Sequence, residues 1–300
     1  MLDHVLKLGS TAVRMAPHMW ERYQRELRRG IFVAPHRPHP ELWDDTGLHA
    51  AWLGHSTVLL KIEDTTLITD PVFSERAGID LGVATLGPKR LVQPALRLNE
   101  VPAIDIVLLS HAHMDHFDLP SLRSLESRET SVVTASRTSD LLRVGRWKAI
   151  QELSWGAEVR VDNLTIRGIE VNHWGARVQT DSYRGFNGYI IESPKYRVLF
   201  GGDTALTGAF RQLHTARGMD LAVMPIGAYN PWIRAHCTPE QALTMAEAAG
   251  SEFILGVHHQ TFELSQEPLM EPLQRLQSAL RGADHRLAVD SIGREFHLAR

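Results

Sequence analysis

The chain has a single cysteine, Cys237, in 300 residues, so no intrachain disulfide can form and an intracellular location is permitted. No stretch approaches the roughly eighteen apolar residues of a membrane-spanning helix. The first thirty residues do not make the apolar core of a signal peptide, because His4, Lys7, Arg14 and His18 interrupt it. Positive charge is not in excess: the formal net charge is -3, which gives no electrostatic case for nucleic acid. There is no repeat of solenoid period and no low-complexity block. The apolar fraction of 43% and charged fraction of 22% are those of an ordinary globular protein.

What is present begins with a basic, partly amphipathic arm. Val5, Leu6, Leu8, Met19, Trp20 and Tyr23 sit among Lys7, Arg14, Arg22, Arg25, Arg28 and Arg29. Such a segment either packs on the body of the protein or lies on a membrane surface. Residues 31–41 carry Pro35, Pro38 and Pro40 and read as an extended linker. The expected organisation is therefore an arm and linker over 1–45 and a main domain over 46–300.

Strand-like and helix-like segments then alternate, which predicts an α/β class. Residues 50–62 and 65–69 read as two paired strands separated by Glu63 and Asp64, and 71–102 as a long loop region. Further strands are predicted over 131–134, 164–171, 188–191, 197–200, 221–225 and 253–257. Helices are predicted after Asp118, as a cap with Pro120 in the first turn, and over 139–144, 239–249 and 271–280.

The densest chemistry is the run His111-Ala112-His113-Met114-Asp115-His116, directly after the apolar segment 104–110. A buried strand ending where the run begins would turn His111 and His113 toward one metal and Asp115 and His116 toward a second. Other strand ends carry further ligand types: His173, Asp203, and the pair His258-His259. Strand ends on one edge of a layered α/β fold converge, so separate loops can complete one coordination sphere.

These residues resemble the metallo-β-lactamase fold hydrolases, and within them the branch of N-acyl-phosphatidylethanolamine phospholipase D and its bacterial relatives. The resemblance runs from about Trp52 to about Pro272. It rests on Trp52-Leu-Gly-His-Ser-Thr57, Thr69-Asp-Pro71, Gly87-Pro-Lys-Arg90, the His111–His116 run, His173-Trp174, Gly202-Asp-Thr204, Pro225-Ile-Gly-Ala-Tyr229 and His258-His-Gln-Thr-Phe262. It implies an αββα four-layer sandwich. It also implies two zinc ions, with manganese or iron as substitutes. His111, His113 and His173 would hold one ion and Asp115, His116 and His258 the other, with Asp203 bridging. Ligands drawn from both halves imply one catalytic domain, against the length rule that favours two.

The implied chemistry is hydrolysis, since a metal pair lowers the pKa of a bridging water toward neutrality. Asp115 would hold that nucleophile in line, and His236 would protonate a leaving oxygen or bind the developing anion. His55 and Asp70 are expected behind the ligands, fixing imidazole orientation. Trp174, Tyr229 and Trp232 would line a substrate pocket or pack in the core.

The chain departs from the branch at Ala112, Met114, 186–188 and His259-Gln260, which alters the expected pocket wall without removing a ligand. A phosphodiesterase of phospholipase D type leads, with a small-molecule or lipid substrate, no nucleic-acid partner, and a cytoplasmic location that permits peripheral membrane contact through the arm. A lactonase or other ester or amide hydrolase is the alternative. A di-iron oxidoreductase, which would replace the second imidazole of the run by a carboxylate, and a metal-free binding protein are more remote.

Overall fold

Both faces of most strands are apolar, and this is what stacks the chain into layers. In a computed structural model that describes residues 24, 26–80 and 85–300, sixteen strands are formed. In chain order they begin with β1 (Leu48–Gly54), β2 (Thr57–Ile62), β3 (Thr65–Thr69), β4 (Ile79–Asp80), β5 (Thr85–Leu86), β6 (Ile106–Leu109), β7 (Ser131–Ala135) and β8 (Ala149–Leu153). The second half supplies β9 (Glu158–Val161), β10 (Leu164–Ile169), β11 (Gly188–Glu192), β12 (Arg197–Phe200), β13 (Met219–Pro225), β14 (Ser251–Val257), β15 (Leu287–Val289) and β16 (Glu295–Leu298). One seven-stranded sheet has the order β16-β1-β2-β3-β6-β7-β8, and the other the order β15-β14-β13-β12-β11-β10-β9. The last strand thus closes the first sheet, beside β1.

Alternation along the strands assigns the layers. In β12 and β13, Val198, Phe200, Leu221 and Val223 join the core that also holds Leu60, Val107 and Val133 of the first sheet. Their neighbours Leu199, Ala222 and Met224 face the opposite way. There they meet helices α2 (Pro239–Ala248) and α3 (Glu271–Leu280) through Ala242, Met245, Leu276 and Leu280. Helix α1 (Leu119–Leu125) follows the ligand run. This is the α/β architecture of two large sheets with helices outside that the resemblance implied.

Three local expectations fail. Residues 50–62 are two strands, not one, because Gly54 and His55 take positive φ values of 117° and 52° and turn the chain between β1 and β2. Residues 139–144 form only a single 3-10 turn, Ser139–Leu141, whose backbone is held from outside as Glu152 accepts the N–H groups of Arg137, Thr138 and Ser139. Asp118 precedes α1 but does not cap it; its carboxylate accepts from the hydroxyls of Ser74 and Ser121 instead.

Val33–Arg300 forms one compact unit. The basic arm expected over residues 1–30 lies almost entirely outside the described residues. Among the described residues no helix is long and apolar enough to cross a membrane.

Candidate metal centre

Strand β6 is buried at every position and ends at Ser110, so the run that follows emerges at a strand terminus. It coils at once: the N–H groups of His116 and Phe117 both donate to the carbonyl of His113, at 3.1 and 2.7 Å. On the facing sheet His173 follows β10, Asp203 follows β12, His236 lies beyond β13, and His258 follows β14. Two glycines make this convergence possible. Gly202 takes φ 55° to present Asp203. A Cβ on Gly227 would meet the carbonyl oxygen of His258 at 2.2 Å, so only glycine lets those two loops touch.

All seven expected ligands meet in one place. His111 Nε2 lies 2.8 Å from His113 Nδ1, which lies 3.3 Å from His173 Nε2. Nitrogens bound tetrahedrally to one zinc at the usual bond length are about 3.3 Å apart. Across from this trio, Asp115 Oδ2 lies 3.7 Å from His116 Nε2 and 3.5 Å from His258 Nε2. Asp203 stands between the groups, its Oδ2 at 3.2 Å from His116 Nε2, 3.1 Å from His258 Nε2 and 3.8 Å from His173 Nε2.

The donor set fits metal ions. His116 Nε2, His258 Nε2 and Asp203 Oδ1 are buried without a hydrogen-bond partner among the described residues. Buried polar atoms are ordinarily paired, and three orphans facing one point ask for a cation.

The rings are aimed from behind. Asp70 is fully buried: one carboxylate oxygen accepts the Ser110 N–H at 2.7 Å, and the other accepts the Ser110 hydroxyl at 2.6 Å and His116 Nδ1–H at 2.7 Å. Ser110 Oγ in turn accepts His111 Nδ1–H at 2.8 Å. One carboxylate therefore fixes the tautomer of two ligands, one directly and one through a hydroxyl, leaving each Nε2 lone pair directed inward. His173 is fixed the same way, Nδ1–H donating to the carbonyl of Ala235 at 2.9 Å.

His55 Nε2 lies 3.2 Å from Asp115 Oδ2. Its own backbone is pinned by the Thr261 hydroxyl at 2.6 Å. The carbonyl of His55 accepts from Trp52 Nε1 and from the N–H of His258, which ties two site loops together. His55, Asp70 and His258 all hold positive φ, at 52°, 34° and 63°. Such strain is stable only where surrounding contacts dictate it.

The electrostatics divide the imidazoles. Burial holds His111 well below its ordinary pKa, lowers His113, and takes His173 and His55 down to about 3, so these rings are neutral. Burial also disfavours the cations of His116 and His258, but Asp203 and Asp115 outweigh it, pushing His258 up to about 9 and holding His116 well above its ordinary value. The two carboxylates are held well below the usual range by those same rings, in spite of their burial. Two carboxylates at the centre thus demand positive charge, and bound metal would take the place of the protons.

Of the other expected site residues, His236 is buried with Nδ1 3.7 Å from Asp203 Oδ2. Trp174 is 44% exposed and sets its ring 4.6 Å from His113 and 4.3 Å from His173. Trp232 is exposed. Tyr229 is not available to a substrate by its phenol, which donates to Glu271 at 2.8 Å under the Arg275 guanidinium.

Ser110 was missed, although a hydroxyl at a strand end beside the run was a usable signal. Arg90, part of the motif Gly87–Arg90, is a buried pin whose guanidinium donates to the carbonyls of Ser74, Val72 and Val92 and lies 5.2 Å over Phe262. The departures at 186–188 are structural: Asn187 donates its N–H to Ser110, and its side-chain amide to Leu153.

A family described as the β-lactamase superfamily domain matches residues 65–259, which include every residue of this centre except His55. The chain belongs to the metallo-β-lactamase superfamily. It is 34% identical over 251 residues to an uncharacterised protein of Mycobacterium tuberculosis, covering 79% of this chain and 65% of that one. The chain thus spans about two thirds of the length of that relative. It is 30% identical over 258 residues to N-acyl-phosphatidylethanolamine-hydrolyzing phospholipase D 1 of Caenorhabditis elegans, covering 79% of this chain and 70% of that protein. Among solved structures, the metallo hydrolase Igni18 of Ignicoccus hospitalis superposes with a TM-score of 0.64 at 19% identity, over 85% of this chain and 100% of that one. Within the superfamily the chain is similar to the branch of those phospholipases.

Proposed function

We propose that the chain is a di-zinc phosphodiesterase of N-acyl-phosphatidylethanolamine phospholipase D type, cleaving the bond between the phosphatidyl group and an N-acylated alcohol. The observation that carries this reading is the gathering of six other ligand-type side chains with Asp203 in a chain 30% identical to a phospholipase named for that activity. The mix of imidazole and carboxylate favours zinc over harder ions.

His111, His113 and His173 would hold one ion, Asp115, His116 and His258 the second, and Asp203 both. Divalent ions bound there would supply a water acidic enough to ionise near neutral pH and a Lewis acid for a phosphoryl oxygen. Asp115 would accept a hydrogen bond from the attacking water and so orient it, while His55 Nε2 lies against the same oxygen, Oδ2, that faces His116 and His258. His236 is taken down to about 4 by burial, so it is a neutral imidazole near pH 7. A neutral ring suits hydrogen-bond donation to the developing anion.

A cavity of about 630 Å³ opens at His258 and runs between Leu91, Phe262, Leu264, Leu269 and Pro272. Its wall is mixed, with Glu263, Gln266 and Glu267 beside those apolar residues, and the apolar part suits an acyl chain. His259, a departure from the branch, borders the cavity but stacks inward on Trp52 at 4.5 Å.

The test is mass-spectrometric product analysis after the zinc-loaded protein meets a pool of N-acyl phospholipids, simple phosphodiesters and lactones. Phosphatidic acid with an N-acylethanolamine is the expected result. Hydroxy acids from lactones alone would overturn the phosphodiester reading and move the assignment to ester hydrolysis. A peripheral membrane role of the arm predicts that deleting residues 2–30 lowers turnover on vesicles more than on a soluble diester.

A further inference from the structure

The two ligand-bearing loops come from different sheets, and one side chain ties them. Arg177 stands four residues after His173, in the loop that follows β10. Its Nη1 donates to the carbonyl of Ala112 at 3.0 Å and to that of Phe117 at 2.8 Å. These carbonyls bracket the ligand run: one lies between His111 and His113, and the other directly follows His116. Ala112 and Phe117 are fully buried, in a coil that offers their carbonyls no strand partner. Without the guanidinium both acceptors would be left unpaired in the interior.

The acidic neighbours of Arg177 are engaged elsewhere. Asp181 pairs with Arg184 at 2.6 Å, and Asp118 holds Ser74 and Ser121. Among the described residues the side-chain hydrogen bonds of Arg177 go to backbone only, so its contribution is to geometry more than to charge pairing.

We propose that Arg177 is a positioning residue for the metal centre: it locks the loop bearing His173 to the run bearing His111, His113, Asp115 and His116, and so sets the spacing between imidazoles supplied by the two sheets. His111 and His113 come from one side of that clasp and His173 from the other, and the three nitrogens must meet within about a bond-length tolerance to share an ion. Both bonds leave Nη1, whose two hydrogens have fixed directions in the guanidinium plane, whereas an ammonium that rotates on a flexible stem holds two carbonyls with less definition. The inference rests on the ligand set proposed above and not on the identity of the substrate.

The experiment compares the full chain with Arg177→Met and Arg177→Lys. Three quantities are read: zinc affinity by titration against a chelator of known strength, the visible absorption of the cobalt-loaded protein, and the thermal midpoint of the metal-free protein. Arg177→Met is expected to weaken zinc binding by about 10- to 100-fold. It is expected also to change the cobalt bands, with the metal-free midpoint within a few degrees of the parent. Arg177→Lys should recover part of the affinity. Parental affinity and cobalt bands in Arg177→Met would overturn the proposal, as would a loss of midpoint in the metal-free protein as large as in the loaded one, which would mark a general structural clamp. If Arg177→Met does not fold, Arg177→Lys decides: several-fold weaker zinc with altered bands supports the clasp, and unchanged values sink it. Because metal binding is the readout, absence of phosphodiester products would overturn the proposed reaction and leave this result standing.

Discussion

At the β16 edge of the first sheet, His49 and His297 face each other as direct partners across the antiparallel pair, with their Nδ1 atoms 2.6 Å apart. Trp43 stacks on His49 at 5.4 Å, and Asp44 lies 3.6 Å from His49 Nε2. By composition this is close to the metal centre: imidazoles, a carboxylate and a tryptophan. Its geometry differs in two ways. The facing nitrogens spend one proton and one lone pair on each other, which leaves only the Nε2 atoms for other partners. The carboxylate is on the surface, already accepting from Thr46 and from the N–H of Gly47. In the centre, by contrast, Asp70 and the Ala235 carbonyl take the outward N–H groups from behind, and a buried carboxylate sits where the inward lone pairs meet. Histidine density does not make a metal site; rings such as His111, His116 and His173, held from their far side so that their other nitrogens converge, do.

Substituting the central groups tests that contrast most severely. Asp203→Ala or His113→Ala is expected to lower turnover by on the order of a thousandfold and to reduce bound metal, since each removes a group facing the ions. His297→Gln, at the other cluster, should leave metal content and turnover unchanged. Metal per chain and kcat for the three variants decide the matter, and parental activity in either of the first two would break the assignment.

A smaller effect sharpens it. Asp70→Asn keeps the volume but leaves one oxygen where two served three donors. Metal affinity should fall by about 10- to 100-fold. Ser110→Ala, which loosens His111 alone, should fall less. A chelator competition titration orders the two, and equal affinity in all three proteins would show that the ligands hold their aim unaided.

How far these features could be read without coordinates varies by region. The run 111–116 was legible because contiguous ligands after an apolar strand leave few other arrangements. His173, Asp203 and His258 were legible only as strand ends, and their convergence came from the resemblance, since the pairing of β12, β13 and β14 that brings them together is set by long-range contacts. The turn at Gly54-His55 was hidden, because apolar residues run through it and the positive φ of His55 is imposed by Thr261, more than 200 residues away. Arg177 carried no signal of its own: its partners are carbonyls, which every residue has. His49 and His297 likewise look unrelated until the last strand is found beside the first.

The smallest expected effect concerns that pair and has a sign. Burial lowers the pKa of His49, and the nearby His297 lowers it further, while Asp44 opposes the shift and Lys61 adds to it. The folded state therefore prefers the neutral ring, whereas the unfolded chain takes up its proton near the ordinary value of about 6.5. The pair's contribution is complete above that pH and is lost as pH falls through the lower folded value. Other buried histidines titrate in the same window, so the informative quantity is the difference between the parent and His49→Gln, both metal-free. The advantage of the parent in thermal midpoint should be largest near pH 7.5 and shrink toward pH 5, by on the order of 2 °C. A gap that stays constant over that range would mean that the contact contributes packing alone, and that the His49 ring can be buried at a sheet edge without its proton being felt.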